Sequence, residues 1–394
     1  MYNHRIKIFL NMLWISVLFF STCIWSEEQT DMNISEEWTY FTEEGDLDLS
    51  SYLSQAYGFL PVPILVTEPA IGYGGGAALI YLHDNFVGSK GASGRNIPAS
   101  MSGVILGATE NGTKAVGAFH LGYYFEDTLR TQTFFVLTNV NMNFYTPSGK
   151  AIFMNLKSPI AYQSLKYRMG ESDIFLGAAY LYMSSELKLN REDIESDILK
   201  EPFTVVSAAA GLILDYDTRD NALSPNEGML FNARANFFTK TVGSDNDFQK
   251  YLLQELLYMP LTEKINLDHR FVFDKVVGED APFYMYPSVN MRGVSAMRYQ
   301  GENVALYEAQ LTYDVNDRWS AILFGGLARA YGERKNILGN ESVSFQEAPT
   351  VVSKGLGFRY LIAEKFGLRM GVDIAMSNED KAFYIQFGTA WIGL

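Results

Sequence analysis

Residues 366–376 read FGLRMGVDIAM. Phe366, Leu368, Met370, Val372, Ile374 and Met376 fall on one parity; Gly367, Arg369, Gly371, Asp373 and Ala375 fall on the other. A period of two without exception describes a strand with one apolar face and one face that is small or charged. Soluble strands cluster near five or six residues, whereas roughly nine to eleven tilted residues cross a bilayer. The segment therefore has the length of a membrane-spanning strand.

The pattern repeats in both directions. In 302–315, Ala305, Tyr307, Ala309, Leu311 and Tyr313 oppose Glu308, Gln310 and Thr312. In 203–216, Ala208, Ala210, Leu212, Leu214 and Tyr216 oppose Ser207, Gly211 and Asp215, and Phe383, Ile385, Phe387 and Trp391 oppose Tyr384, Gln386, Gly388 and Ala390. Candidate strands fall at 69–83, 99–109, 114–125, 129–144, 151–169, 172–189, 203–216, 228–239, 247–259, 263–276, 302–315, 318–332, 352–363, 366–376 and 381–391. Pro61, Pro63 and Pro69 argue against a central strand before Ala70, because a prolyl nitrogen donates nothing to a ladder. A barrel with both ends on one side needs an even count. The fifteen segments thus imply one missed or merged strand, placed within 99–169, where the alternation of short turns and long loops slips. Sixteen strands is the preferred reading and fourteen the alternative. Tight turns are expected at Asn111–Gly112, Gly170–Glu171 and Pro260–Leu261, and long polar connections at 84–98, 190–202, 278–301 and 333–351.

The alternation and the strand lengths point to an all-β transmembrane antiparallel barrel; the mean hydropathy, ordinary for a soluble protein too, does not decide between the two. Charged residues make up 19% and aromatics 14% of 394 residues, and the mean hydropathy is −0.03, the neutral average of a chain in which alternate residues meet lipid. Residues 1–26 have the form of a signal peptide: Arg5 and Lys7 precede the apolar run Phe9–Trp25. Removing it takes away the only cysteine, Cys23, and two basic residues, moving the formal charge from −14 to −16. No disulfide or thiolate metal site is then expected, and the acidic balance excludes a nucleic-acid binder that tracks phosphates. Residues 27–58 read as a short acidic periplasmic arm with a short helix near Leu49–Tyr57, and 59–394 as the barrel.

Met291-Arg292-Gly293-Val294, inside the polar excursion 278–301, resembles the V/I-R-G-F/Y motif in the sixth extracellular loop of the Omp85 superfamily, the bacterial surface antigen D15 and BamA/TamA-like barrels. Met291 and Val294 depart from the usual residues. Asp215–Asn221 followed by Ser224–Gly228 is similar to that family's D-T-R-D-N…P-x-x-G turn, here Asp217, Arg219, Asp220, Asn221, Pro225 and Gly228. Gly355–Tyr360 with Leu368–Asp373 resembles its late strands, and Phe383–Trp391 its closing strand, although Ile392-Gly393-Leu394 run past the usual terminal aromatic.

The resemblance covers roughly 59–391 and implies an outer-membrane barrel whose long late loop folds into the lumen, where Arg292 meets acidic residues of the wall. Guanidinium keeps its charge and presents a rigid fork of donors, so a carboxylate would pin the loop; Asp373 is the first candidate partner and Glu308 the second. The D-T-R-D-N segment reads as a structural turn, with a cation site at Asp215, Asp217 and Asp220 as the alternative. The resemblance also implies a weakly paired seam between first and last strands, placed at Gly74, Gly75, Gly76, Phe387 and Trp391. Residues 27–58 are too few for a POTRA domain.

His83, His120 and His269 form no metal spacing, and no hydrolase or phosphate-loop motif occurs, so neither enzymatic activity nor a metal or cofactor is expected. Three functions remain: a barrel assisting insertion or translocation of proteins or lipids, with outer-membrane lipids and a separate periplasmic or outer-membrane protein as partners; a gated or plugged pore or structural surface antigen; and a lipid-modifying enzyme, which would need Asp and His beside a serine such as Ser295.

Overall fold

The computed structural model describes residues 40–55, 58–83, 89–90, 96–97, 99–145, 151–189, 202–336 and 339–391. The signal segment 1–26, residues 27–39 and 56–57 of the acidic arm, nearly all of the 190–202 connection and the tail 392–394 lie outside these residues.

Sixteen antiparallel strands form one sheet wrapped into a nearly closed barrel: β1 Gly58–Val66, β2 Gly74–Leu82, β3 Met101–Thr109, β4 Lys114–Tyr124, β5 Leu129–Tyr145, β6 Ala151–Arg168, β7 Ile174–Leu189, β8 Phe203–Asp217, β9 Gly228–Phe238, β10 Phe248–Thr262, β11 Ile265–Val277, β12 Asn303–Asp314, β13 Trp319–Asn336, β14 Val351–Ala363, β15 Leu368–Ser377 and β16 Lys381–Phe387. Each pairs with the next in sequence. The even count puts the start of β1 and the end of β16 on one rim, the terminal rim. The hairpins 67–73, 110–113, 239–247, 278–302 and 378–380 stand on the opposite, loop rim. Beyond the wall, Gly339–Val343 extends β13 as a hairpin. Among the described residues no helix is long and apolar enough to cross a membrane.

Alternation sets the two faces. Leu79, Val104, Leu106, Leu212, Leu323, Leu356 and Ile374 are all exposed on the outer face. Such a belt is costly in water and favourable against acyl chains. Residues of the opposite parity, among them Ser207, Asp215, Glu308, Ser353 and Asp373, are buried on the inner face.

The missing strand is β1, not a segment within 99–169. Pro61 and Pro63 sit in its middle, in unbroken register with Leu79 and Ala77 of β2. An imide nitrogen cannot donate, so the β1–β2 ladder runs through the even-numbered residues, and both prolines turn their nitrogens to the other edge. That edge is free: among the described residues β1 pairs only with β2 and β16 only with β15. The sequence argument against a central strand holds, because β1 is an edge strand.

Three other boundaries shift. Pro260 and Leu261 belong to the end of β10, and the turn falls at 263–264. Phe366 closes a 3-10 turn and Gly367 adopts φ +60°, so β15 starts at Leu368. The closing strand stops at Phe387, because Gly388 turns the chain inward with φ +72°.

The chain before β1 crosses the terminal rim as α1, Ser50–Gln55. Leu49 N–H donates to the Ile362 carbonyl, and Leu53 packs on Ile362 and Ala363, with Leu60 of β1 in the same cluster. Arg318 binds Asp48 at 2.8 Å and Glu364 at 3.0 Å. Burial alone would raise the Asp48 carboxyl, but hydrogen bonds from Ser50 and Arg318 hold it below its ordinary range.

Candidate functional site: a pinned loop beside an unpaired seam

The excursion 278–302 folds back on itself, with Val289 N–H donating to the Tyr299 carbonyl and a bridge between Ser288 and Gln300. Its motif sits at the tip of this fold. Met291 and Val294 bury with Val289 against Val304, Leu306, Ala328 and Val351 of the inner wall. Gly326 leaves room for the Met291 sulfur, 2.5 Å from where a Cβ on that glycine would stand.

Arg292 meets both acidic residues named for it. Its Nη1 donates to Asp373 Oδ2 at 2.7 Å and to Gln310 Oε1 at 3.0 Å, and its Nε lies 3.9 Å from Glu308 Oε1. The guanidinium carbon stands 3.6 Å from the centre of the Phe324 ring, a cation–π contact in a buried setting. Each carboxylate has a second cation: Arg359 holds Asp373 with bonds of 2.6 and 3.0 Å, and Arg270 holds Glu308 at 2.7 Å. Gln310, Phe324, Arg359 and Arg270 join Asp373 and Glu308 around the guanidinium without any motif that marks them. Their only signal is parity, since all face inward from β11 to β14.

The same loop reaches both sides of the seam at the loop rim. Gly293 N–H donates to Tyr384 Oη of β16 at 2.9 Å, and Ser295 N–H to Asp380 Oδ2 at 3.1 Å. Across the gap, Ala296 N–H donates to Glu68 Oε1, in the β1–β2 hairpin, at 3.1 Å. Arg298 adds Glu379 at 3.0 Å. The loop thus bridges the two edge strands where no ladder does.

Two predictions arise here. Gly293 has φ +80°, and a Cβ on it would stand 2.9 Å from Met376 N and 3.0 Å from Ala375. Gly293→Ala should cost about 2 kcal/mol, from the left-handed backbone alone, and lower the urea midpoint of the reconstituted protein. Burial, opposed by the amide hydrogen bonds from Ala296 and Ala70 and aided by the Asp380 charge, raises the Glu68 carboxyl above its ordinary range. A raised folded-state value means that the proton is bound more tightly in the docked form. Docking is then fully supported in acid and weakens as pH rises past the ordinary carboxylate range. Fluorescence of a probe on the loop should show that loosening in the native chain and a flat profile in Glu68→Gln.

The other named residues lie elsewhere. Gly74, Gly75 and Gly76 belong to β2 and are paired on both sides, with β1 and with β3, so they do not border the gap. Phe387 ends the unpaired strand β16. Trp391 has left the wall: Gly388 and Thr389 bond Arg369 and Leu223, and the indole packs inside on Leu230, Leu256 and Tyr258, 5.7 Å from the Arg292 guanidinium carbon.

The D-T-R-D-N turn at the terminal rim is engaged throughout. Asp217 accepts from Arg130 at 2.8 Å and Arg219 at 2.9 Å, and Asp215 pairs with Lys166 at 2.7 Å. Asp220 Oδ1 accepts the amides of Asn226 and Glu227, and Asn221 Oδ1 those of Leu223 and Ser224. Pro225 lies within that turn, and Gly228, at φ +95°, leaves no room for a Cβ beside the Thr218 carbonyl. With these carboxylates so occupied, no cation site is drawn from Asp215, Asp217 and Asp220.

Ser295 is buried, and the described histidines bond elsewhere: His83 to Ser102, His120 to Ser102 and Tyr124, and His269 to Tyr307. The register of β2 to β4 brings His83 and His120 within 5.4 Å, a proximity that linear spacing does not reveal. Among the described residues no group of three or more His, Cys, Asp or Glu could hold a metal ion.

The model of the Omp85 superfamily domain matches residues 164–391. Among solved structures, BamA from Haemophilus ducreyi lacking POTRA domains 1–3 is similar at a TM-score of 0.55 and 13% identity, over 83% of this chain and 68% of that one. CdiB from Escherichia coli is similar at 0.52 and 9%, over 83% and 61%. No curated protein matches the sequence.

Proposed function

The chain belongs to the Omp85 superfamily, and on that premise we propose that this outer-membrane barrel uses the gap between β1 and β16 as a lateral gate, assisting insertion or translocation of proteins or lipids. The observation that carries the reading is the free edge of β1, where Pro61 and Pro63 remove two donors. An edge that cannot complete its ladder is the cheapest place to open a wall in which every other strand is bonded twice. The clasp from the 278–302 loop to Glu68 on one side and Tyr384 on the other supports a gate held at its rim. Bilayer lipids are the immediate partners, and a separate periplasmic or outer-membrane protein supplies cargo. Catalysis forms no part of the proposal.

Tyr73 and Phe383 stack across the gap with centroids 5.8 Å apart. Joining Tyr73→Cys to Phe383→Cys with a short bismaleimide should abolish insertion of a test barrel into liposomes by the purified protein, while the unlinked double variant stays active. Equal insertion by both would refute the gate. A second reading, a plugged pore without insertase activity, is favoured by the pinned Arg292. Its mark is steady channels that widen when the pin is removed, with no insertion by any variant.

A further inference from the structure

The lumen wall is divided. From β11 to β15 it is charged, carrying Arg270, Glu308, Arg359 and Asp373. From β1 to β6 the register places Val62, Ile80, Ile105, Phe119, Phe134 and Tyr162 on the inner face of consecutive strands. None of these six residues is charged; the inner-face charges of β5 and β6, Arg130, Lys166 and Arg168, lie nearer the terminal rim, paired with the D-T-R-D-N turn or its neighbours. Phe119 lies over Gly103, where a Cβ would meet its ring at 2.7 Å. The rings of Phe119, Phe134 and Tyr162 follow one another across the strands at 6.5 and 6.2 Å. Ile105 keeps 36% of its surface exposed although it faces inward. Tyr162 Oη, the one polar atom of these six side chains, has no partner among the described residues. None of the six joins a packed cluster with the 278–302 loop.

An apolar surface inside a barrel needs an occupant, and its neighbourhood says which. The strip begins on β1, the strand whose outer edge is unpaired, so no backbone ladder separates Val62 from the bilayer that covers Leu65 and Leu79 on the outer face. A peptide would need hydrogen-bond partners for its backbone, and these side chains offer it only one hydroxyl. A hydrocarbon chain needs none and is the solvent just outside. We propose that the β1–β6 strip binds the acyl chain of a membrane lipid that enters sideways between β1 and β16. The inference rests on the gate reading and names lipid as the class that uses it.

The test places the photoreactive residue benzoylphenylalanine at Phe134 or, as an outer-face control, at Leu106. Each protein is reconstituted in phosphatidylethanolamine–phosphatidylglycerol vesicles, irradiated, and read by mass spectrometry. The expected result is lipid adducts at both positions, with the Phe134 yield falling roughly tenfold once Tyr73→Cys and Phe383→Cys are joined, as mass action requires when the competent state is closed off, and the Leu106 yield unchanged. Adducts at Leu106 alone would overturn the acyl site and leave the gate to stand or fall on the insertion assay. Adducts at Phe134 that persist undiminished in the joined protein would overturn entry through the seam, and the gate with it.

Discussion

Arg292→Ala should free the 278–302 loop from the wall, raise single-channel conductance in planar bilayers severalfold, and lower stability in urea by about 3 kcal/mol. Removing one partner of a buried ion pair costs roughly 3–5 kcal/mol, because the other charge is left uncompensated. The low end applies here. Asp373 keeps both bonds from Arg359, and Glu308 keeps Arg270. What disappears is the set of contacts that only the loop supplies: Nη1 to Asp373 and Gln310, and the guanidinium face on Phe324. Arg292→Lys should fall between, since an ammonium keeps the charge but cannot bond Asp373 and Gln310 in one plane while stacking on the ring. Unchanged conductance in Arg292→Ala would mean that Met291, Val294 and the rim contacts hold the loop without the arginine.

The second large effect is expected at the seam. Pro61→Ala with Pro63→Ala restores two amide donors to the free edge of β1, where β16 offers backbone partners. Each new hydrogen bond contributes about 0.5–1.5 kcal/mol, opposed by about 0.4–1 kcal/mol per proline for the looser unfolded chain. The net gain in stability is therefore small. The functional effect is not: a wall that closes its ladder should lose most insertion of a test barrel and most Phe134 lipid labelling. Leu65→Ala, which changes the same strand without adding a donor, should retain both. Full activity in the doubly substituted protein would detach the prolines from the gate.

How much of this could be read beforehand depends on the range of the interaction. Parity is local, so the inward-facing Asp373 and Glu308 are legible from alternation, whereas Arg292 is placed in the lumen only through the motif that carries the family resemblance. Proline is barred from a central strand, but nothing local separates a non-strand segment from the edge strand of a barrel, so β1 is invisible to the alternation argument. The alternation through Phe383, Ile385, Phe387 and on to Trp391 looked continuous, yet Gly388 at φ +72° ends it and sends the indole into the lumen. Glycine permits that turn without announcing it. Arg359 beside Asp373, and the reach of the 278–302 loop to Glu68, depend on strand register and loop path, which no local pattern encodes.

The account turns on whether the facing edges of β1 and β16 are unbonded, and amide exchange read residue by residue on the reconstituted barrel tests this directly. Gly388 N–H donates to the Arg369 carbonyl and Ser377 N–H to that of Asp380, so the even-numbered amides of β16 face β15 and the odd-numbered ones face the gap. Slow exchange at Ala382, Tyr384 and Gln386 with fast exchange at Phe383, Ile385 and Phe387 is the result expected. Equal protection at all six would show a closed ladder and contradict the gate.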